Sequence, residues 1–133
     1  MTNIAIVGIN GMNLDEYERN KIMAEIITIC KKYSKKKILS LKNPRGGVAT
    51  FVELYAKEFK IDNKEYDLGE NLKDWKEGNK KMVKECDILY CLTTMVKRKS
   101  CYHCLSLDHE VSGGCFAMKE AKKLGKPVNL LIL

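Results

Sequence analysis

Glycines follow three predicted strands of the chain, at points where a ligand could approach the backbone. Gly8 and Gly11 follow an apolar run, Arg45-Gly46-Gly47 follows a second, and Ser112-Gly113-Gly114 precedes the last helical segment. Glycine lets the backbone approach a ligand closely, and the start of a helix behind it presents unpaired N–H groups to an anion. These junctions predict a site for a phosphate-bearing small molecule; the alternative is that tight turns need glycine for their own geometry.

Cysteines and histidines are concentrated between positions 101 and 115. Cys101 and Cys104 are separated by two residues, so their thiolates could bind one tetrahedral metal ion from a single turn, and His109 with Cys115 could complete the set. This spacing predicts a structural zinc site, with His103 as an alternative fourth ligand. A redox pair and ordinary packing or loop cysteines are the other interpretations.

Apolar periodicity predicts the elements that would position these residues. Continuous apolar runs bounded by turns indicate strands, and apolar residues three or four apart indicate helices. Strands alternating with helices favour right-handed crossovers and a parallel sheet covered on both faces. The expected fold is α/β, a Rossmann-like, doubly wound, mostly parallel five-stranded sheet in one domain over residues 1–133, with a loop inserted at about 93–112. The predicted strands are 4–7, 38–41, 65–68, 87–92 and 128–133, and the predicted helices are centred on 22–29, 51–59, 72–85 and 118–124.

The charge balance limits the classes of partner. The chain of 133 residues has 24 Lys and Arg against 17 Asp and Glu, a net charge of +7, which attracts polyanions. Only Arg19, Arg45 and Arg98 carry a guanidinium group, so we expect weak nucleic-acid binding at most, or simply a lysine-rich solvated surface. No apolar run approaches the length of a membrane span, and no export signal is visible. We therefore expect a cytoplasmic protein with no membrane partner.

Four short motifs, in order along nearly the whole chain, resemble the SLOG superfamily. This Rossmann-like group includes the bacterial DNA-processing protein, the lonely-guy phosphoribohydrolases and the YspA/YpsA-type proteins. The similar segments are Ile4-Ala5-Ile6-Val7-Gly8; Arg45-Gly46-Gly47 with Thr50 to Ala56; Trp75 and Gly78 to Val83 leading into Cys86-Asp87-Ile88-Leu89; and Ser112-Gly113-Gly114-Cys115 with Ala121 and Gly125-Lys126-Pro127-Val128.

The glycine junctions and this resemblance together predict binding or sensing of a nucleotide or a nucleotide-derived ligand. The resemblance also implies a homodimer, for which Tyr17, Phe51, Tyr55 and Trp75 supply large apolar helix residues. The predicted ligand-binding residues are Gly8, Gly11, Arg45, Gly46, Gly47, Asn79, Ser112, Gly113 and Gly114.

Two other functions remain open from the sequence. The first is an N-glycosidic hydrolase, either a phosphoribohydrolase or a deoxyribosyltransferase-like enzyme, with Glu120 as the catalytic carboxylate. Glu120 has the spacing from Gly113-Gly114 found in the hydrolase branch, although Phe116 and Ala117 replace its Gly-Thr pair. The second is a DNA-binding protein, which the net charge and the resemblance to the DNA-processing protein allow.

Overall fold

The computed structural model describes residues 1–9, 14–42, 47–67, 72–94 and 113–133. Strands and helices alternate along the whole of this described part. The strands are β1 (Thr2–Gly8), β2 (Lys36–Leu41), β3 (Asp62–Tyr66), β4 (Ile88–Thr93) and β5 (Val128–Ile132). The helices are α1 (Glu16–Lys31), α2 (Val48–Glu58), α3 (Leu72–Glu85) and α4 (Gly113–Lys123).

The five strands form one sheet in the order β3-β2-β1-β4-β5, and every pairing between neighbours is parallel. This confirms the predicted Rossmann-like α/β fold and makes the described sheet wholly parallel. The strand order reverses direction at β1, because the chain moves outward through β2 and β3 and then returns to place β4 on the other side of β1. In such sheets, ligands bind beyond the carboxyl ends of the two strands that flank this switch point.

Each face of the sheet buries a separate apolar cluster. On one face, Ile4 and Ile6 of β1 pack with α1 and α2, through residues such as Ile22, Ile26 and Val52. On the other face, Ala5 and Val7 pack with α3 and α4, where Met82 and Met118 are fully buried. Alternate residues of β1 therefore enter opposite cores, which explains why the sequence of this strand is continuously apolar.

The third strand differs most from its prediction. β3 covers Asp62–Tyr66, whereas the apolar pattern predicted 65–68, whose last residue is outside the described part. β3 is an edge strand whose register with β2 runs from Lys37↔Asp62 to Leu41↔Tyr66. Its polar residues are tolerated because an edge strand is only half covered, and this leaves no alternating apolar signal in the sequence.

The residues predicted to form a dimer contact lie in different surroundings. Tyr17 on α1 is 67% exposed. On α2, Tyr55 is buried in the core and Phe51 is partly buried. The side chain of Trp75 is outside the described part. The homodimer stays a prediction. Among the described helices, none has both the length and the apolar character needed to cross a bilayer.

Candidate functional site

The carboxyl ends of β1 and β4 lie side by side at the switch point. Gly8 pairs with Leu92, and the Ile9 amide donates a hydrogen bond to the Leu92 carbonyl at 3.2 Å. Helix α1 leaves this edge over one face of the sheet, and α4 begins at the same edge over the other face. In doubly wound sheets, ligands bind in the crevice between helices placed in this way, outside the carboxyl ends of the strands. We define this switch-point crevice by the ends of β1 and β4 and the starts of α1 and α4.

Gly8, a predicted ligand-binding residue, is required here by packing. A Cβ atom on Gly8 would lie 2.3 Å from the Leu92 carbonyl oxygen and 2.6 Å from Val48 Cγ2. Both distances are far below van der Waals contact, so only glycine lets α2 begin this close to β1. Packing therefore requires a glycine at the last residue of β1 whether or not a ligand binds.

Gly47 adopts a backbone conformation that favours glycine, with φ of 87°, immediately before α2. The first amide of that helix, Val48 N–H, donates a hydrogen bond to the Ile9 carbonyl at 3.1 Å, so it already has a partner within the protein. Gly11, Arg45 and Gly46 lie outside the described residues, as does Ser112, and their predicted roles stay predictions.

A carboxylate that sequence reasoning missed borders the crevice at the start of α1. Asp15 caps this helix because its carboxylate accepts a hydrogen bond from the Glu18 amide at 2.7 Å. The Glu18 carboxylate in turn accepts a hydrogen bond from the Asp15 amide at 3.3 Å. The same Glu18 side chain accepts a 2.7 Å hydrogen bond from the Thr94 hydroxyl just beyond β4. Glu18 is only 7% exposed. The Asp-x-x-Glu spacing identifies a capping box in the sequence, but it does not reveal this long-range partner.

A threonine hydroxyl lies on the opposite side of the end of β4. Thr93 is fully buried, and its Oγ1 has no hydrogen-bond partner among the described residues. Strand alternation places Thr93 on the same face as Cys91, which belongs to the core beneath α3 and α4. Cys91 is close enough to Cys115 for the two thiols to interact electrostatically. Thr93 is two residues nearer the carboxyl edge than Cys91, on the face of the sheet that α3 and α4 cover.

Other described groups place positive charge near the first turn of α4. Helix α4 begins at the predicted residues Gly113 and Gly114, and the Lys76 ammonium of α3 lies 5.6 Å from the ring centre of Phe116 in α4. Asn79, also predicted to bind ligand, is fully buried one helical turn beyond Lys76. The first turn of α4, Thr93 and Lys76 together form an environment that suits an anion.

The zinc prediction rests largely on residues outside the described part. Cys101, Cys104, His103 and His109 all lie there, and only Cys115 is placed, fully buried at the start of α4. Within the described ranges, no group of three or more His, Cys, Asp or Glu side chains could hold a metal ion. The zinc site stays a prediction.

Glu120, the predicted catalytic carboxylate, lies about two turns along α4 from its first residue. Its carboxylate forms an ion pair with Lys123 at 3.5 Å, and its side chain is 15% exposed. Seven residues of helix correspond to roughly 10 Å, so Glu120 is displaced from the carboxyl edge toward the middle of the helix. Its catalytic role stays a prediction.

The burial of the cysteine thiols can be tested by a labelling experiment. Cys30, Cys86, Cys91 and Cys115 are fully buried thiols, which confirms for the first three the interpretation as small apolar groups. Burial also raises the pKa of Cys30 to about 11, so little thiolate forms at neutral pH.

We expect these four cysteines to resist iodoacetamide in the native protein and to react completely after denaturation, as measured by peptide mass spectrometry. The predicted zinc ligands Cys101 and Cys104 should become reactive when a chelator is added. Rapid labelling of Cys91 or Cys115 in the native protein would contradict their buried positions. Equal labelling of Cys101 and Cys104 with and without the chelator would contradict the zinc site.

Comparisons of the chain with models of protein families, with curated proteins and with solved structures find no match.

Proposed function

We propose that the switch-point crevice binds a nucleotide or nucleotide-derived ligand, with its phosphate against the first turn of α4, and that the protein acts as a binding or sensing protein. The observation that carries the proposal is the Thr93 hydroxyl, which is fully buried without a hydrogen-bond partner among the described residues. A buried hydroxyl without a partner costs roughly 1–3 kcal/mol. A ligand oxygen that accepts a hydrogen bond from this hydroxyl would recover the free energy.

The surroundings of Thr93 favour an anionic ligand. The first N–H groups of a helix have no partner within the helix, and the aligned peptide dipoles place partial positive charge there. The Lys76 ammonium lies 5.6 Å from the centre of the Phe116 ring, in the same turn. Gly113 and Gly114 carry no side chain that would keep a phosphate away from the backbone amides.

The position of the crevice in the fold and the resemblance to the SLOG superfamily favour a nucleotide as the ligand. The crevice is at the switch point of a doubly wound sheet, where mononucleotides and dinucleotides are commonly bound. The segment that begins α4, Gly113-Gly114-Cys115, is one of the segments that resemble the superfamily.

Replacing Thr93 by valine tests this proposal because ligand binding and stability should change in opposite directions. Valine has nearly the same shape and removes the hydroxyl, so the ligand-free variant should gain about 1 kcal/mol of unfolding free energy. The same variant should lose most of the thermal stabilisation that millimolar AMP or inorganic phosphate gives the wild type, which is about 2.7 kcal/mol at 100 times the dissociation constant. Thermal melts with and without each anion measure both effects.

Thr28 provides the matched control. Its hydroxyl donates to the Ala24 carbonyl within α1, so Thr28→Val removes a hydroxyl far from the crevice and should leave anion binding intact. Thr93→Ser retains the hydroxyl and should retain binding. If neither anion raises the melting temperature of the wild type, or if Thr93→Val binds both normally, the proposal is wrong.

A further inference from the structure

We infer that Glu18 accepts a hydrogen bond from a sugar hydroxyl of the ligand, so that the crevice selects sugar phosphates that keep their ring hydroxyls. This inference rests on the proposed function and specifies the ligand class for the same crevice. Its starting observation is a carboxylate that is only 7% exposed at the carboxyl edge of the sheet. A buried carboxylate needs strong partners, because removing its charge from water is costly.

The hydrogen bonds that Glu18 accepts from the described residues leave part of its acceptor capacity unused. One carboxylate oxygen accepts from the Asp15 amide at 3.3 Å, and the other accepts from the Thr94 hydroxyl at 2.7 Å. An ionised carboxylate offers about four acceptor positions, so each oxygen can accept one more hydrogen bond. No Lys or Arg among the described residues forms an ion pair with Glu18.

Helix capping alone does not explain the position of Glu18. Glu16, in the same first turn, is exposed to solvent and already provides negative charge at the helix start. Glu18 instead turns toward β4, and its shorter hydrogen bond goes to Thr94 rather than to the capped amide. Thr94 therefore holds the carboxylate beside the end of the strand.

The end of β4 separates the two groups that we assign to the ligand. Thr93 and Thr94 are consecutive residues, with Cα atoms about 3.8 Å apart, and their side chains point to opposite faces of the sheet. The Thr93 side has the start of α4 and suits a phosphate, whereas the carboxylate on the Thr94 side repels one. A sugar hydroxyl is separated from a 5-phosphate by only a few bonds, so one sugar phosphate can cross the strand end and reach both sides.

Three base-free probes test this inference: inorganic phosphate, ribose 5-phosphate, and tetrahydrofurfuryl phosphate, which has the same ring without hydroxyls. Calorimetric titration of the wild type should show ribose 5-phosphate binding about tenfold more tightly than the hydroxyl-free ring, as expected for a hydrogen bond to a charged acceptor. Glu18→Gln keeps the size and the capping ability of the side chain, and should bring the two affinities within about twofold. Its affinity for inorganic phosphate should not change.

Further variants separate the contact from folding effects. Thr94→Val should lose the preference for ribose 5-phosphate, whereas Thr94→Ser, which keeps the hydroxyl, should retain it. Glu16→Gln removes an exposed carboxylate from the same turn and should behave as the wild type. Chemical denaturation of each variant establishes that it is folded under the titration conditions.

The possible failures are distinguishable. If the wild type binds phosphate but does not distinguish ribose 5-phosphate from the hydroxyl-free ring, the role of Glu18 is wrong and the phosphate site stands. If the preference exists only when Mg²⁺ is added, Glu18 holds a cation and the hydroxyl contact is wrong. If neither inorganic phosphate nor AMP binds, both this inference and the proposed function are wrong.

Discussion

Replacing Gly8 by alanine is expected to destabilise the protein by about 3 kcal/mol and to lower its melting temperature by roughly 10 °C. The new methyl carbon would lie 2.3 Å from the Leu92 carbonyl oxygen and 2.6 Å from Val48 Cγ2. The first of these atoms belongs to the backbone of β4, in the middle of the sheet, and cannot move without breaking the pairing of β1 with β4. Thermal and denaturant unfolding of the variant measure the loss.

Two further variants show whether backbone crowding is the cause. Gly125→Ala places a methyl group in open space, although the φ of +69° disfavours alanine, so it should cost only about 1 kcal/mol. Adding Val48→Ala to Gly8→Ala removes the contact with Val48 Cγ2 but not the closer contact with the Leu92 carbonyl oxygen, and should not restore stability. A Gly8→Ala protein that melts like the wild type would contradict this packing.

Alkaline pH is expected to unfold the protein steeply. Burial raises the pKa values of three tyrosines, and hydrogen bonds raise two of them further: Tyr66 donates to Glu85, and Tyr90 is bonded to Tyr33. Burial likewise raises the pKa values of three cysteines. The affected groups are Tyr55, Tyr66, Tyr90, Cys30, Cys86 and Cys91.

The direction of the pH effect follows from proton release. The native protein keeps these groups neutral above the ordinary pKa values, 9.0 for the thiols and 10.0 for the phenols, whereas the unfolded chain ionises there. Unfolding therefore releases protons, and each group lowers the unfolding free energy by at most about 1.4 kcal/mol per pH unit. Stability should be nearly constant from about pH 7 to about pH 8.5 and should fall by several kcal/mol per unit above about pH 10.

Denaturant unfolding across this pH range, followed together with tyrosinate absorbance, checks the prediction. Tyrosinate from the buried phenols should form with unfolding rather than before it. Tyr17→Phe removes a phenol that is 67% exposed and should leave the pH profile of stability unchanged. Stability that does not decline by about pH 11, or early ionisation of Tyr55, Tyr66 and Tyr90 in a folded protein, would contradict these environments.

The sequence by itself determined the fold class and most of the elements. Apolar runs such as Ile4–Val7 and helical spacing such as that of Ile22, Ile26 and Ile29 are local signals, and the structure buries all of these residues. Local periodicity reports which side of an element is covered, so it predicts strands and helices without knowledge of their partners. The apolar pattern also predicted that Gly8, Gly47 and Gly113 lie at the carboxyl edge of the sheet, because each helix follows its strand at that edge.

Only the tertiary structure decided the strand order, the start of the edge strand β3, and the groups that face the crevice. Glu18 and Thr94 are 76 positions apart in the chain, and neither is unusual in its local sequence. Gly8 is required by Leu92 and Val48, which are also distant along the chain. The cost of burying a carboxylate or a hydroxyl, and the space available to a methyl group, depend on atoms supplied by other elements. Those atoms are brought together only when the sheet pairs and the helices pack on its two faces.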